Sequence, residues 1–600
     1  MVRKVSGTGR VSRFGTLSRP LIRPFNSVRA REGGSRPVMT WKERCMNNNN
    51  STTLLHRFLH WEANRPDAIY LTQPVAGQVH AYSWRQVGDQ ARRMATYLAA
   101  LQLPAGSSIA ILGKNSAHWI MADLAIWMAG HVSVPLYPTM NADTLRYIVD
   151  HADIRLLFLG RMEPGSSIQQ MLPAEVPVIA LPLAPEGDYR QWEEVCAAND
   201  PLQDILLPDP DQLATIIYTS GTTGTPKGVM HSFGSMHAYA SLAGGDFIQL
   251  GPDDRLLSYL PLAHAAERSS VESNSLCHGV QVFFNDTLET FTQDLCRARP
   301  SMFISMPRLW TKFYQAICTR LPAEQQALLA SPCEAGAALR KQVLVMLGLD
   351  CTRIAFTGSA PLPLEIVNWY RNLGLELLEV YGMSENFCYS HYSRPGQVRV
   401  GYVGQALPGV RCRLSEDGEV LVDCATRMLG YYRQPALTAE SMTADGYFKT
   451  GDRGVLDEEG RLKITGRVKE LFKTDKGKYV APVPIENRIA HRWVEAVCVT
   501  GPGQPAPFAL LMLSPEGRDS LADTHARHQL QCELDTLRER LNLDLEAHER
   551  LGYVVVVNDL WSIENGFLTP TLKIKRDVIE SRYLGQAGQW LASGRTVIFE

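Results

Sequence analysis

Six hundred residues, 45% hydrophobic and 20% charged with 46 Gly and 35 Pro, allow several domains of roughly 150 residues each. They exclude collagenous, wholly disordered and all-membrane chains. The 60 Lys and Arg against 62 Asp and Glu, a formal charge of −2, exclude the uniformly basic surface of a nucleic-acid binder. The balance is uneven: residues 1–45 hold eleven basic side chains and two acidic ones, leaving 49 basic against 60 acidic residues in 46–600.

That Arg- and Ser-rich start has the composition of an organelle transit peptide but lacks the apolar core of a secretory signal. Residues 1–45 are read as a basic disordered tail, or as a stretch preceding a true start at Met46. Twelve cysteines without a Cys-x-x-Cys pair, and no His cluster at zinc spacing, point to a reduced compartment, the cytoplasm. The most apolar stretch, Trp119 to Pro138, is broken by Asp123 and His131, so no transmembrane helix is expected. Peripheral membrane contact and oligomeric state stay open.

From about residue 50, apolar β-rich runs alternate with helical patterns, the signature of α/β layering. Leu54–Trp61 reads as a helix, Ser108–Gly113 as a buried strand, Ala117–Met128 as a helix, Ser133–Leu136 as a strand and Asn141–Ala152 as a helix. Further strands are expected at Leu156–Leu159, Ala214–Tyr218, Gln281–Phe284, Met302–Ser305, Arg353–Thr357 and Leu375–Tyr381, mostly with helices between them, as parallel pairing requires. After Gly404 short strands and turns follow at 418–422, 446–452 and 460–464. Beyond Gly466 come strands at Ala496–Thr500, Ala509–Leu513 and Tyr553–Val557 and a helix at Ala522–Leu541. The expected fold is a large layered α/β N-terminal body over 46–465 with a distal β-rich subdomain. A small mobile α+β C-terminal lid over 466–600 completes it, joined near Gly466 to Glu470.

The strongest local signal is Tyr218-Thr219-Ser220-Gly221-Thr222-Thr223-Gly224-Thr225-Pro226-Lys227-Gly228-Val229, after an apolar strand. Small residues let backbone N–H groups approach phosphate oxygens, hydroxyls add donors and the lysine adds charge. It is not a Walker A loop, because Lys227 lies between Pro226 and Gly228.

This string resembles the signature of the adenylate-forming, AMP-binding superfamily, which includes acyl-CoA synthetases, peptide adenylation domains and beetle luciferases. Thr357-Gly358-Ser359-Ala360-Pro361-Leu362, Tyr381-Gly382-Met383-Ser384-Glu385, Tyr447 to Asp452, Gly466 to Glu470 and Leu568 to Arg576 are similar to its later motifs, in its order, over about residues 50–585. The resemblance implies that Thr219 to Lys227, with Ser220, Gly221, Thr222, Thr223 and Gly224, surround the β- and γ-phosphates of ATP. Glu385 would hold Mg²⁺ with Thr219, and Gly358, Ser359, Ala360, Tyr381, Gly382 and Ser384 would border adenine and ribose. Asp452 and Arg467 would take the ribose hydroxyls or phosphate. Lys573, in preference to Lys575, would be the mobile catalytic lysine, joined in catalysis by Lys227 and Glu385, and Lys469 would be the hinge. Gly477 to Pro482 would face the pantetheine of coenzyme A.

Leu260 to Arg268, and the extra residue between Lys473 and Gly477, are similar to the long-chain fatty acyl-CoA synthetase subgroup. His264 then either flanks the acyl carboxylate or caps a helix. The implied reaction joins a medium- or long-chain fatty acid to coenzyme A through acyl-AMP, releasing pyrophosphate and AMP. Loading of a separate acyl carrier protein is the alternative, and an inactive nucleotide-binding homologue the non-enzymatic one. The pocket walls are expected to draw on His231 to Gly245 and Ser301 to Leu309.

Overall fold

A computed structural model describes residues 52–163, 171–220, 225–243, 248–358, 362–489, 491–569 and 573–600; the 1–45 segment lies outside them. Ser108–Leu112 and Val132–Leu136 are buried at every position, as strands covered on both faces should be. They lie side by side in parallel at the centre of an eight-stranded sheet. One half continues through Ile154–Leu159, Val178–Ala180 and Arg190–Gln191. The other runs through Leu213–Ser220, Pro226–Ser232 and Gly430–Tyr431. The last two pairings are antiparallel, so the glycine- and threonine-rich loop joins two strands of one sheet instead of a strand and a helix.

A second sheet places Met302–Ser305, Ile354–Gly358 and Leu377–Tyr381 in parallel, then His391–Tyr392 and Gln405–Ala406 antiparallel. A third contains Arg255–Ser258, Gln281–Phe284, Ile69–Val75 and Gln78–Ser83. The hairpin closing this sheet, turned at Ala76 and Gly77 with positive φ, has no counterpart among the expected strands. The β-rich part is an antiparallel sheet of Arg411–Leu414, Glu419–Asp423, Phe448–Leu456 and Leu462–Arg467. This sheet extends through Arg467, and the chain leaves it in a 3-10 turn, Val468–Glu470. The C-terminal region packs the 20-residue helix Thr524–Leu543 on a sheet of Val494–Thr500, Phe508–Leu513, Val554–Val556 and Val597–Phe599. The layered α/β body and smaller α+β C-terminal part thus match the expected fold class. Among the described residues, no helix is long and apolar enough to cross a membrane.

The helix Ala117–Met128 is apolar almost all round and every residue of it is buried, the environment such a helix requires. Its one charge, Asp123, meets Arg268 at 2.6 Å, and the Arg268 Nε lies 3.2 Å from Glu272; all three side chains are fully buried. The guanidinium also lies 5.4 Å from the Trp119 ring and 5.7 Å from that of Trp127. Burial pushes both carboxyl pKa values up against the pull of Arg268. One cation facing two buried acids is best satisfied when the acids share a proton. Arg268→Ala leaves the two acids without their cation and is expected to remove about 3–5 kcal/mol of stability. Denaturant unfolding followed by tryptophan fluorescence measures this; an unchanged midpoint would sink the network's structural role.

Candidate active site

The phosphate-loop hairpin sets Thr219 opposite Lys227 and Ser220 opposite Pro226; Gly221, Thr222, Thr223 and Gly224 lie outside the described residues. Gly228 follows because a Cβ there would lie 2.7 Å from Ile216 and 3.2 Å from the Tyr218 ring. Lys227 carries its ammonium 5.6 Å from the centroid of the Tyr431 ring. The Tyr431 hydroxyl in turn donates to Glu385 Oε1 at 2.9 Å. Burial and the Glu385 charge push the Tyr431 pKa up, so the phenol stays a donor. Lys227, Tyr431 and Glu385 therefore form one constellation.

Glu385 sits on a 3-10 turn, Ser384–Asn386, just beyond the strand that ends at Tyr381. The turn is pinned from several sides. Asn386 Oδ1 accepts from the Met383 N–H, Met428 N–H donates to the Glu385 carbonyl, and His231 Nε2 donates to the Ser384 carbonyl at 2.7 Å. Phe387 and Cys388 then adopt left-handed φ values of 51° and 60°. The chain crosses back so closely that a Cβ on Gly382 would lie 2.6 Å from the Cys388 backbone.

Asp452 and Arg467 are register partners in the antiparallel sheet. Arg467 Nε donates to Asp452 Oδ1 at 2.8 Å, and the Tyr381 hydroxyl donates to Oδ2 at 2.7 Å. Asp452 is nearly buried, whereas 44% of the Arg467 side chain is exposed. Burial, then the Asp452 charge, raises the Tyr381 pKa. Gly358 lies beside Val380 on the neighbouring strand, and a Cβ there would lie 2.9 Å from the Val380 side chain. Ser359 and Ala360 are outside the described residues.

Lys573 lies where Thr569 closes the chain on itself. The Thr569 N–H donates to the Lys573 carbonyl at 2.8 Å, and the Lys573 N–H donates to Thr569 Oγ1 at 3.1 Å. Its side chain keeps access to solvent, yet surrounding protein desolvates the ammonium and lowers its pKa. Arg467 adds to that lowering, while Asp452, Cys388 and Glu470 oppose it. His264 is held near pH 4 by burial and then by the Lys573 charge. The same cation is therefore felt beside Asp452 and beside His264. Lys575 instead occupies the N-cap of the helix Arg576–Tyr583.

His264 Nδ1 accepts from the Ala266 N–H at 3.0 Å, so the neutral ring carries its proton on Nε2. Helix capping and proximity to Lys573 coexist in this residue. After the short helix Ala265–Glu267 that His264 caps, the chain makes a six-residue π-helix, Arg268–Ser273, buried throughout.

Sequence reasoning did not name Tyr431, whose position comes from pairing Gly430–Tyr431 with Val229 and Met230. The sequence places His231 only in an expected pocket wall, and no local pattern marks it as the support for Ser384.

Two outcomes are expected. Hydrogen bonds to charged groups contribute about 1.5–3 kcal/mol, so Tyr431→Phe should slow pyrophosphate release roughly tenfold or more; an unaffected rate would remove Tyr431 from the site. Burial lowers His231 from 6.5 to about 4, so the unfolded chain binds more protons between these values and stability falls as pH drops through that window. His231→Asn should flatten the loss of melting temperature between pH 6.5 and 4, and an identical pH profile would contradict this.

The AMP-binding enzyme family model matches residues 58–432, and the AMP-binding enzyme C-terminal domain model matches residues 471–584. The chain is similar to the long-chain-fatty-acid–CoA ligase FadD15 of Mycobacterium tuberculosis, 29% identical over 87% of this chain and 94% of that protein. It is also similar to the peroxisomal long chain acyl-CoA synthetase 6 of Arabidopsis thaliana, 30% identical over 87% of this chain and 84% of that protein. The fold is shared with the anthranilate CoA ligase AuaEII in complex with anthranoyl-AMP, at a TM-score of 0.73 and 19% identity over 91% of this chain and 99% of that one. With most of its length matched, the chain belongs to the AMP-binding enzyme family.

Proposed function

We propose that this chain is an AMP-forming acid–thiol ligase that activates a long-chain fatty acid with ATP and passes the acyl group to coenzyme A. The observation that carries the reading is the pairing of Asp452 with the Tyr381 hydroxyl at 2.7 Å and Arg467 at 2.8 Å, together with the Lys227–Tyr431–Glu385 constellation. Relatives that are long-chain-fatty-acid–CoA ligases over most of their length support the acid and favour coenzyme A over a carrier protein as acceptor.

In this reading a carboxylate oxygen attacks the α-phosphorus, the bond to the bridging oxygen breaks, and pyrophosphate leaves. Lys227 and the phosphate loop neutralise the leaving group. Lys573 stabilises charge on the α-phosphate oxygens. Asp452 accepts the ribose hydroxyls, and Tyr381 and Gly358 border the base. Neutral His264 offers its Nε2–H to the acyl carboxylate. Among the described residues no group of three or more His, Cys, Asp or Glu could cage a metal. A single half-buried carboxylate near a phosphate loop nevertheless suits Mg²⁺, which keeps waters and phosphate oxygens. Glu385 and Thr219 would hold the ion, which would supply charge neutralisation on the triphosphate.

For the second step the thiol attacks the acyl carbon and AMP departs. Residues 466–600 would act as the lid, turning at Lys469 in the Val468–Glu470 turn to exchange Lys573 for the Gly477–Pro482 segment. Acid-dependent pyrophosphate release, measured over acids of graded chain length and then with coenzyme A, tests the reading. Maximal rates with long chains and acyl-CoA formation are expected; release with short acids only would overturn the assignment. Lys573→Ala should lower adenylation by at least about a hundredfold. Because the Lys573 pKa is lowered, the cation is lost sooner on the alkaline side, and the wild-type rate should begin falling below pH 10.5. Lys573→Arg should remove that alkaline limb; persistence of the limb would count against Lys573 as its source.

A further inference from the structure

The loop between the strand Arg255–Ser258 and the short helix Ala265–Glu267 carries His264. Two polar side chains from outside that loop, half-buried Asn115 and buried Glu267, hold it. Asn115 Nδ2 donates to the Leu260 carbonyl at 2.6 Å and to Ser258 Oγ at 2.8 Å, and Asn115 Oδ1 accepts from the Leu262 N–H at 2.8 Å. Glu267 Oε1 accepts from the Tyr259 N–H at 3.0 Å, with Asn115 Nδ2 3.4 Å away. The loop's remaining internal ties are short: the His264 N–H donates to the Pro261 carbonyl, and the His264 carbonyl accepts from Glu267 and Arg268.

Glu267 is fully buried, and its Oε2 has no hydrogen-bond partner. A buried carboxylate left with a bare oxygen is costly, whereas a neutral carboxyl is not. Burial pushes its pKa up to about 8, with nearby Ser258 and the Tyr259 amide opposing the rise. No step of the proposed reaction uses this acid. We infer that Glu267 and Asn115 are positioning residues: together they clamp the Tyr259–Leu262 backbone and so fix the His264 ring at the cap of the helix Ala265–Glu267. The inference rests on the adenylation reading. Neither residue touches the reacting atoms; both act through His264.

The test uses the full chain and acid-dependent pyrophosphate release, with kcat and the KM for ATP and for the acid measured separately. Glu267→Ala and Asn115→Ala are expected to lower kcat at least tenfold while the KM for ATP stays within twofold. Glu267→Gln keeps the acceptor for Tyr259 and a neutral side chain, and should remain within threefold of wild type. Glu267→Ala combined with His264→Ala should be no slower, within threefold, than His264→Ala alone. Multiplying effects in the double variant would overturn the inference, as would a Gln variant as impaired as the Ala variant, or an ATP KM rising in step with the fall in kcat. Should Glu267→Ala fail to fold, Asn115→Asp, which keeps the acceptor for Leu262 but loses the donors, takes its place in the double variant under the same criteria. Wild-type protein without acid-dependent release overturns the adenylation reading and this inference together. Release with multiplicative effects overturns the inference alone.

Discussion

One carboxylate ties the site together. Asp452 receives the Tyr381 hydroxyl from the end of one sheet and Arg467 from the neighbouring strand of another, and it lies within the electrostatic reach of Lys573 from the C-terminal region. Three separately built pieces of chain are therefore referred to one nearly buried charge. Such a charge is tolerable only when well paired, so a displacement of any piece exposes the others to an unbalanced carboxylate. The arrangement makes the site a property of sheet packing and not of a single loop.

The interior repeats the same economy. Arg268 sits among two acids and two tryptophans, and the adjacent Glu267 remains neutral. The segment that begins with His264 thus passes from a helix cap into a fully buried polar π-helix. π-turns concentrate at functional positions, and here the turn connects the His264 end of the site to the core. His264, His231 and Lys573 all have lowered pKa values, with desolvation the largest cause in each. The two histidines are thereby kept neutral, while the lysine retains neighbours of both signs.

Much of this was legible in the sequence because each motif is a short contiguous string folded by local rules. The strands at Gln281–Phe284 and Met302–Ser305 and the helix at Ala117–Met128 have the boundaries their patterns predict. Gly382 and Gly228 are legible as motif residues, while the crowding that requires glycine there, by the Cys388 backbone and by Ile216 and Tyr218, is visible only in the fold. What stayed hidden depends on chain segments meeting from far apart. Tyr431 reaches Glu385 only through a two-residue pairing across some two hundred residues. Asn115 meets Leu260 and Leu262 across 145 and 147 residues. Nor could alternation alone reveal that the strand after the phosphate loop returns antiparallel, since short apolar runs carry no direction.

That antiparallel return bears on how the chain tolerates changes in length. The paired stems on either side of the loop hold each other in register from the Leu213/Ser232 pair to the Ser220/Pro226 pair. A single deletion between Lys227 and Ser232 moves the stem by one position, and successive side chains point to opposite faces. Lys227 would then exchange the Tyr431 face for the other side of the sheet. The plain strand that follows the loop is thus held to its register as strictly as any residue of the site, although nothing in its own composition marks it.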